Sequence, residues 1–250
     1  MNRMLTRRRL DQLLVDRGLA DSRSRARALI EAGLVQVAGA SETKPGRMLR
    51  PDEAVVLSGL DHPWVSRGGL KLAAAFDRFA IVPEDVVAID VGASTGGFTD
   101  VLLARGARRV YAVDVGSGQL APKLRADARV ISLEGVNARM LTADEVPEPA
   151  DMIVCDASFI GLEAILPAPM ALAAPGAVLV ALIKPQFEVG PENVGKGGIV
   201  RDPALHDSVC RRIENWLVAQ PGWRVVGLIE SPITGGDGNR EFLICARRAR

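Results

Sequence analysis

An α/β fold, a mostly parallel doubly wound sheet preceded by a small α+β module, is what three features of this 250-residue chain predict. First, the apolar run Val86–Ile89 leads into the glycine-rich turn Asp90-Val91-Gly92-Ala93-Ser94-Thr95-Gly96-Gly97 and then into Phe98–Leu103, which reads as strand, turn and helix. Second, apolar runs at 109–114, 128–133, 151–156 and 177–184 alternate with helical stretches at 97–105, 117–126, 158–173 and 203–219. That alternation is the pattern of parallel strands joined by crossover helices. Third, the closing apolar runs Trp223–Ile229 and Glu241–Ala246 have no helix between them, so they are expected to pair antiparallel.

Residues 1–30 carry eight arginines (Arg3, Arg7, Arg8, Arg9, Arg17, Arg23, Arg25, Arg27) against Asp11, Asp16 and Asp21. Such a local excess suits either a phosphate-facing surface or a solvated helical face. Leu10, Leu13 and Leu14 share one side of a helix that stops near Gly18. Asp21 or Ser22 can cap a second helix, Arg23–Ala32, which turns Ala26, Leu29 and Ile30 inward and leaves Arg23 and Arg27 on an exposed face. Residues 33–39 alternate as a strand ending in a turn, and residues 50–57 read as another turn and strand. The breaker-rich stretch that follows sets the expected domains at 1–60 and 70–250 with a linker at 61–69, and a helix over Leu70–Phe79 opens the second domain.

Composition excludes several classes. Hydrophobic residues make up 48% of the chain, yet no 18-residue uncharged apolar run exists, and the basic N-terminus lacks the apolar segment of a secretory signal. A cytoplasmic protein with no membrane span is the expectation. Cys155, Cys210 and Cys245 are odd in number and widely spaced, which fits neither a disulfide framework nor a zinc site, and two histidines, His62 and His206, do not make a metal centre. No metal is expected.

The glycine-rich turn is the natural ligand site, because glycine lets backbone approach a bound molecule closely. Its spelling, G-A-S-T-G-G, departs from the G-x-G-x-x-G of dinucleotide sites and is closer to an S-adenosylmethionine loop. Asp114 ends the next strand about 20 residues on, where such folds place the acid that holds ribose hydroxyls. Candidate cofactor contacts are therefore Gly92, Ser94, Gly96 and Gly97 in the turn, Phe98 packing on the cofactor, Asp114 at the ribose and Asn137 at the adenine. Asp90 faces the methionine amino group or caps the turn. Two further strands end on opposite charges, Asp156 and Lys184, which face one another if the strands are neighbours; Lys71 and Glu241 are placed to join them.

Two resemblances extend this reading. Arg9-Leu10-Asp11-x-Leu13-Leu14, followed by the pattern from Ser22 to Gly39, resembles the S4-type RNA-binding domain over roughly residues 7–60. That likeness implies RNA contacts by Arg23, Arg25 and Arg27, with Arg7, Arg9 and Arg67 as further candidates. The chain as a whole resembles the TlyA family, ribosomal RNA 2′-O-methyltransferases built from an S4 domain and an FtsJ-like domain, some of which carry a hemolysin name. The likeness rests on Trp64–Leu72, Asp90–Asp100, Cys155–Ile160, Ile183–Glu188, Lys196–Asp202 and Gly235–Phe242.

What this implies is a Rossmann-like methyltransferase fold, S-adenosylmethionine as cofactor and a ribose 2′-hydroxyl, of cytidine, in ribosomal RNA of one or both subunits as substrate. The family's Lys-Asp-Lys-Glu tetrad maps onto Lys71, Asp156, Lys184 and Glu241, while Pro63 before Trp64 departs from many relatives. Lys184 serves as either a neutral base or a cationic stabiliser. A non-catalytic ribosome-associated RNA-binding factor, a membrane-acting hemolysin and an NAD-linked oxidoreductase are the competing classes, and the oligomeric state stays open.

Overall fold

The computed structural model describes residues 7–17, 19–20, 22–31, 33–57, 62–235 and 238–250. Gly18, Asp21, Ala32 and residues 58–61, 236 and 237, several of them expected breakers, caps or linker, lie outside the described residues. The chain divides into two compact units, Met1–Pro63 and Trp64–Arg250.

In the first unit β1 (Arg8–Arg9) and α1 (Leu10–Asp16) are followed by α2 (Arg23–Glu31), β2 (Val35–Val37), β3 (Ala40–Glu42), β4 (Met48–Leu49) and β5 (Val55–Leu57). β2 lies between β3 and β5, antiparallel to both, and β1 pairs with β4. Leu10, Leu13 and Leu14 of α1 meet Ala26, Leu29 and Ile30 of α2 over Val35 and Val37 in one small core. Ser22 accepts a hydrogen bond from the Arg25 backbone N–H and so caps α2. Ala38 and Gly39 link β2 to β3 with φ of 51° and 84°, the doubly left-handed turn that matches strand twist in a two-residue hairpin. β1, β3 and β4 lie where the pattern gave no strand: each has two or three residues and none sits inside a longer alternating run.

The second unit contains α3 (Gly68–Phe79), β6 (Val87–Val91), α4 (Gly97–Ala104), β7 (Arg109–Asp114), α5 (Pro122–Arg125), β8 (Val130–Glu134) and β9 (Ala150–Cys155). There follow α6 (Leu162–Ile165), α7 (Pro167–Ala171), β10 (Ala173–Ile183), α8 (Pro185–Glu188), α9 (Pro203–Val218), β11 (Trp223–Glu230) and β12 (Phe242–Arg248). The sheet order is β11-β12-β10-β9-β6-β7-β8. All pairs from β10 to β8 are parallel, and β12 alone runs against them, inserted between β10 and β11. The chain leaves β8 at one edge and returns to β9 beside β6, which puts a switch point, and hence a crevice, at the carboxyl ends of β6 and β9.

Two apolar layers cover the sheet. Val87, Ile89 and Val91 enter one, while Ala88 enters the other with Phe98, Val101 and Leu102. Prolines shorten two expected helices. The 158–173 stretch breaks into α6 and α7 at Pro167, and 117–126 keeps only the turn that starts at Pro122. Trp64–Gly69 belong to the second unit: Val65 donates its backbone N–H to Asp100 at 2.8 Å, and a Cβ on Gly69 would lie 2.4 Å from Trp64. Among the described residues no helix is long and apolar enough to cross a membrane.

Candidate active site

Strand register gathers four charged side chains at one end of the sheet. Ala181 of β10 pairs with Cys155 of β9, so Asp156 and Lys184 leave neighbouring strands on the same side. Because β12 runs antiparallel, its first residue, Phe242, pairs with the last of β10, Ile183, and Glu241 falls at the same mouth. Lys71 comes from the first turn of α3.

The four form a chain of alternating charge. Lys184 Nζ lies 2.7 Å from Asp156 Oδ1 and donates to the Asp156 carbonyl at 3.0 Å and to Ser158 Oγ at 2.8 Å. Lys71 Nζ lies 4.0 Å from Asp156 Oδ2 and donates to Glu241 Oε2 at 2.6 Å. Lys71 and Lys184 are each 8% exposed and Glu241 3%. Buried charges survive only when paired, and two ammonium groups here meet two carboxylates.

Asp156 also belongs to a cleft of about 590 Å³ that runs over the ends of β6 and β7, with Gly92, Ser94, Asp114, Gln119 and Asn137 among its walls. That volume is within the 300–1,000 Å³ range of small-molecule sites. Gly92 (φ 79°) sits where a Cβ would be 2.8 Å from Ala157 Cα, so the turn and the 156–160 loop close on each other only with glycine here. Asp114 accepts from the backbone N–H of Ser94 at 2.8 Å and of Gly116 at 2.7 Å, which tethers both loops to the end of β7. Asn137 caps a short 3-10 turn through the Arg139 N–H. Ser94 (φ 48°) and Phe159 (φ 65°) both hold left-handed backbone on opposite walls, a strain of about 1–3 kcal/mol each that tends to collect at ligand sites. Phe159 is 89% exposed at the mouth, 5.0 Å from Phe187.

Four expected cofactor residues are buried and are not among the cleft's lining residues. Phe98 is buried in a core layer with Leu72 and Val101. Gly96 and Gly97 are packing positions, where a Cβ would reach 2.2 Å from Leu124 and 2.3 Å from Ser66. Asp90 points into the same layer, fully buried, and accepts from Thr99 Oγ1 at 2.6 Å. Burial, with Asp156 nearby, pushes its carboxyl up to about 7. Ser158 and Gln119 line the cleft although neither was among the expected site residues: the first lies within the Cys155–Ile160 stretch with no role read for it, the second inside an expected helix.

In the first unit, Arg9 grips Asp11 with two hydrogen bonds of 2.9 and 2.8 Å, and Arg23 reaches the same carboxylate at 3.1 Å. Asp11 is fully buried and held down to about 2, chiefly by Arg9. Arg27 faces Glu31 at 3.7 Å, Arg25 is half-buried on α2, Arg7 is exposed, and Arg67 precedes α3 in the other unit.

Residues 64–248 match the model of the FtsJ-like methyltransferases, and residues 8–55 match the S4 domain. The chain belongs to the TlyA family of FtsJ-like methyltransferases. Within that family, it is 45% identical to the 16S/23S rRNA (cytidine-2′-O)-methyltransferase TlyA of Mycobacterium tuberculosis (strain CDC 1551 / Oshkosh) over 249 residues, 98% of this chain and 91% of the relative. It is 48% identical to the protein YqxC of Bacillus subtilis (strain 168) over 94% of this chain and 84% of that one. A solved structure from Streptococcus thermophilus that carries a hemolysin name superposes with a TM-score of 0.79 at 42% identity, covering 98% of this chain and 90% of that chain. The TlyA family likeness thus spans both units.

Proposed function

We propose that this protein is an S-adenosylmethionine-dependent methyltransferase that modifies a ribose 2′-hydroxyl, of cytidine, in ribosomal RNA. The observation that carries this reading is the buried Lys184-Asp156-Lys71-Glu241 chain sharing a wall with a cleft of about 590 Å³. Asp114 and Asn137 are suited to the cofactor's ribose and adenine, and Gly92 lets the turn lie against it. When bound, S-adenosylmethionine supplies a methyl group already activated by its sulfonium, so the protein's task is alignment of the hydroxyl and removal of its proton.

Lys184 is held by three oxygens from two residues of one loop, which fixes its head group beside the cleft. Asp156 balances both lysines, and Glu241 holds Lys71 so that its charge stays within reach of an oxygen gaining negative character. RNA binding falls to the first unit, whose exposed arginines on α2 suit phosphate contacts. A target ribose buried in a helix has to be exposed before it reaches such a site, and flipping the nucleotide accomplishes this.

The deciding experiment is transfer of radiolabelled methyl to isolated small and large ribosomal subunits by wild type and Lys184→Ala. Labelled RNA resistant to alkaline hydrolysis at the modified position, absent with Lys184→Ala, supports the reading. Absence of label on both subunits, with S-adenosylmethionine still bound, refutes it.

A further inference from the structure

Lys184 is 8% exposed and is not among the walls of the cleft, whereas Ser158 is exposed and lines it. The only described side-chain hydroxyl touching the lysine is that of Ser158, at 2.8 Å. Of the three oxygens around the ammonium, the Asp156 carbonyl and carboxylate can only accept. The serine hydroxyl both accepts and donates. As an amine the lysine keeps N–H donors for the two Asp156 oxygens and gains a lone pair, to which, of the three, only the serine hydroxyl can donate.

We propose that Ser158 is a catalytic residue of the methyl transfer, a hydroxyl relay between the ribose 2′-OH in the cleft and the buried Lys184; this rests on the 2′-O-methyltransferase reading above. Lys184 enters the step as amine, having given a proton to solvent, and accepts the Ser158 hydroxyl proton. Ser158 Oγ takes the 2′-hydroxyl proton at the same time. The 2′-oxygen forms its bond to the methyl carbon, and the electron pair of the methyl–sulfur bond stays on sulfur, which leaves as a neutral thioether. At the end serine is restored, lysine is ammonium, and the bond network of the resting structure is regained.

The test uses the full-length protein with ribosomal subunits in single-turnover methyl transfer, for wild type, Ser158→Ala and Ser158→Thr. Cofactor affinity is measured by calorimetry and folding by thermal melts, and rates are taken in mixtures of light and heavy water. A relay predicts a curved dependence on deuterium fraction in the wild type, because two protons move together. It also predicts a rate loss of about 100-fold or more in Ser158→Ala, in the range of general acid–base contributions, with S-adenosylmethionine affinity within twofold. Ser158→Thr, which restores a hydroxyl at an exposed position, should recover the rate to within about fivefold. A linear deuterium dependence in wild type, or Ser158→Ala at the wild-type rate, or a loss that tracks weakened cofactor binding, overturns the relay. Failure of wild type to methylate any 2′-hydroxyl would instead overturn the underlying reading.

Discussion

Glu241 and Asp90 are both buried carboxylates in different surroundings. Glu241 sits against Lys71 at 2.6 Å. Replacing it with Gln leaves Lys71 with only Asp156 at 4.0 Å; the expected result is a fall in methyl transfer on the order of 100-fold, with cofactor affinity by calorimetry unchanged within twofold. Among the described residues no ion pair includes Asp90, and burial raises its carboxyl to about 7. A group whose folded value is raised contributes stability that is present below its unfolded value, near 3.8, and is lost as pH rises through about 7. Asp90→Asn keeps an acceptor for Thr99 and removes this dependence. Its melting temperature should therefore gain on wild type progressively between pH 5 and pH 8; a constant difference across that range would refute the assignment. Asp90 was legible in sequence as a special acid at a turn, but its direction was not. Side chains alternate along β6, and only the packed sheet shows that residue 90 faces the Phe98 layer.

At the scale of elements, the turn after β6 does two jobs with its glycines. Gly92 permits the 156–160 loop to approach, and Gly96 permits Leu124 to approach. Gly92→Ala should therefore weaken S-adenosylmethionine binding at least about tenfold by displacing the wall of the cleft, a figure calorimetry would check. Gly96→Ala, whose new methyl meets the core, should lower the melting temperature more than it lowers affinity. The strand–turn–helix itself was readable because glycine and apolar periodicity are local signals. Which glycine faces ligand space and which faces protein is decided by partners 28 and 65 residues away, about which a local pattern holds no information. The same distinction explains the helices: Pro167 and Pro122 were visible in the sequence, but apolar spacing around them outweighed the break.

Considered as a whole, the molecule has separate cores for its two units, so their stabilities should separate in calorimetry. Asp11 is the anchor of the smaller one, with Arg9 and Arg23 on a single buried carboxylate. Asp11→Ala should lower the melting of Met1–Pro63 and weaken RNA binding while leaving the transition of Trp64–Arg250 in place. In wild type this contribution is present at neutral pH and is lost as pH falls from about 4 through about 2, since Asp11 is held at the lower value. Arg27→Glu, on the exposed side of α2, should weaken RNA binding and reduce its salt dependence by about one unit of slope or more, with S-adenosylmethionine affinity unchanged. Arg23 is the poorer probe of RNA contact, because its loss also disturbs Asp11.

The sequence by itself determined the two-part organisation, the parallel sheet with an antiparallel closing strand, the glycine-rich turn and the four charged residues. These rest on periodicity, breakers and motif spelling, which are properties of neighbouring residues. Only the tertiary structure decided that β12 inserts beside β10 and so brings Glu241 to Lys71. It alone set Ser158 between the cleft and Lys184 and buried Asp90 and Phe98 beside α4 rather than among the cleft's lining residues. The physical reason is that strand order and register join residues up to 170 positions apart, and the free energy that selects them comes from burying whole faces together.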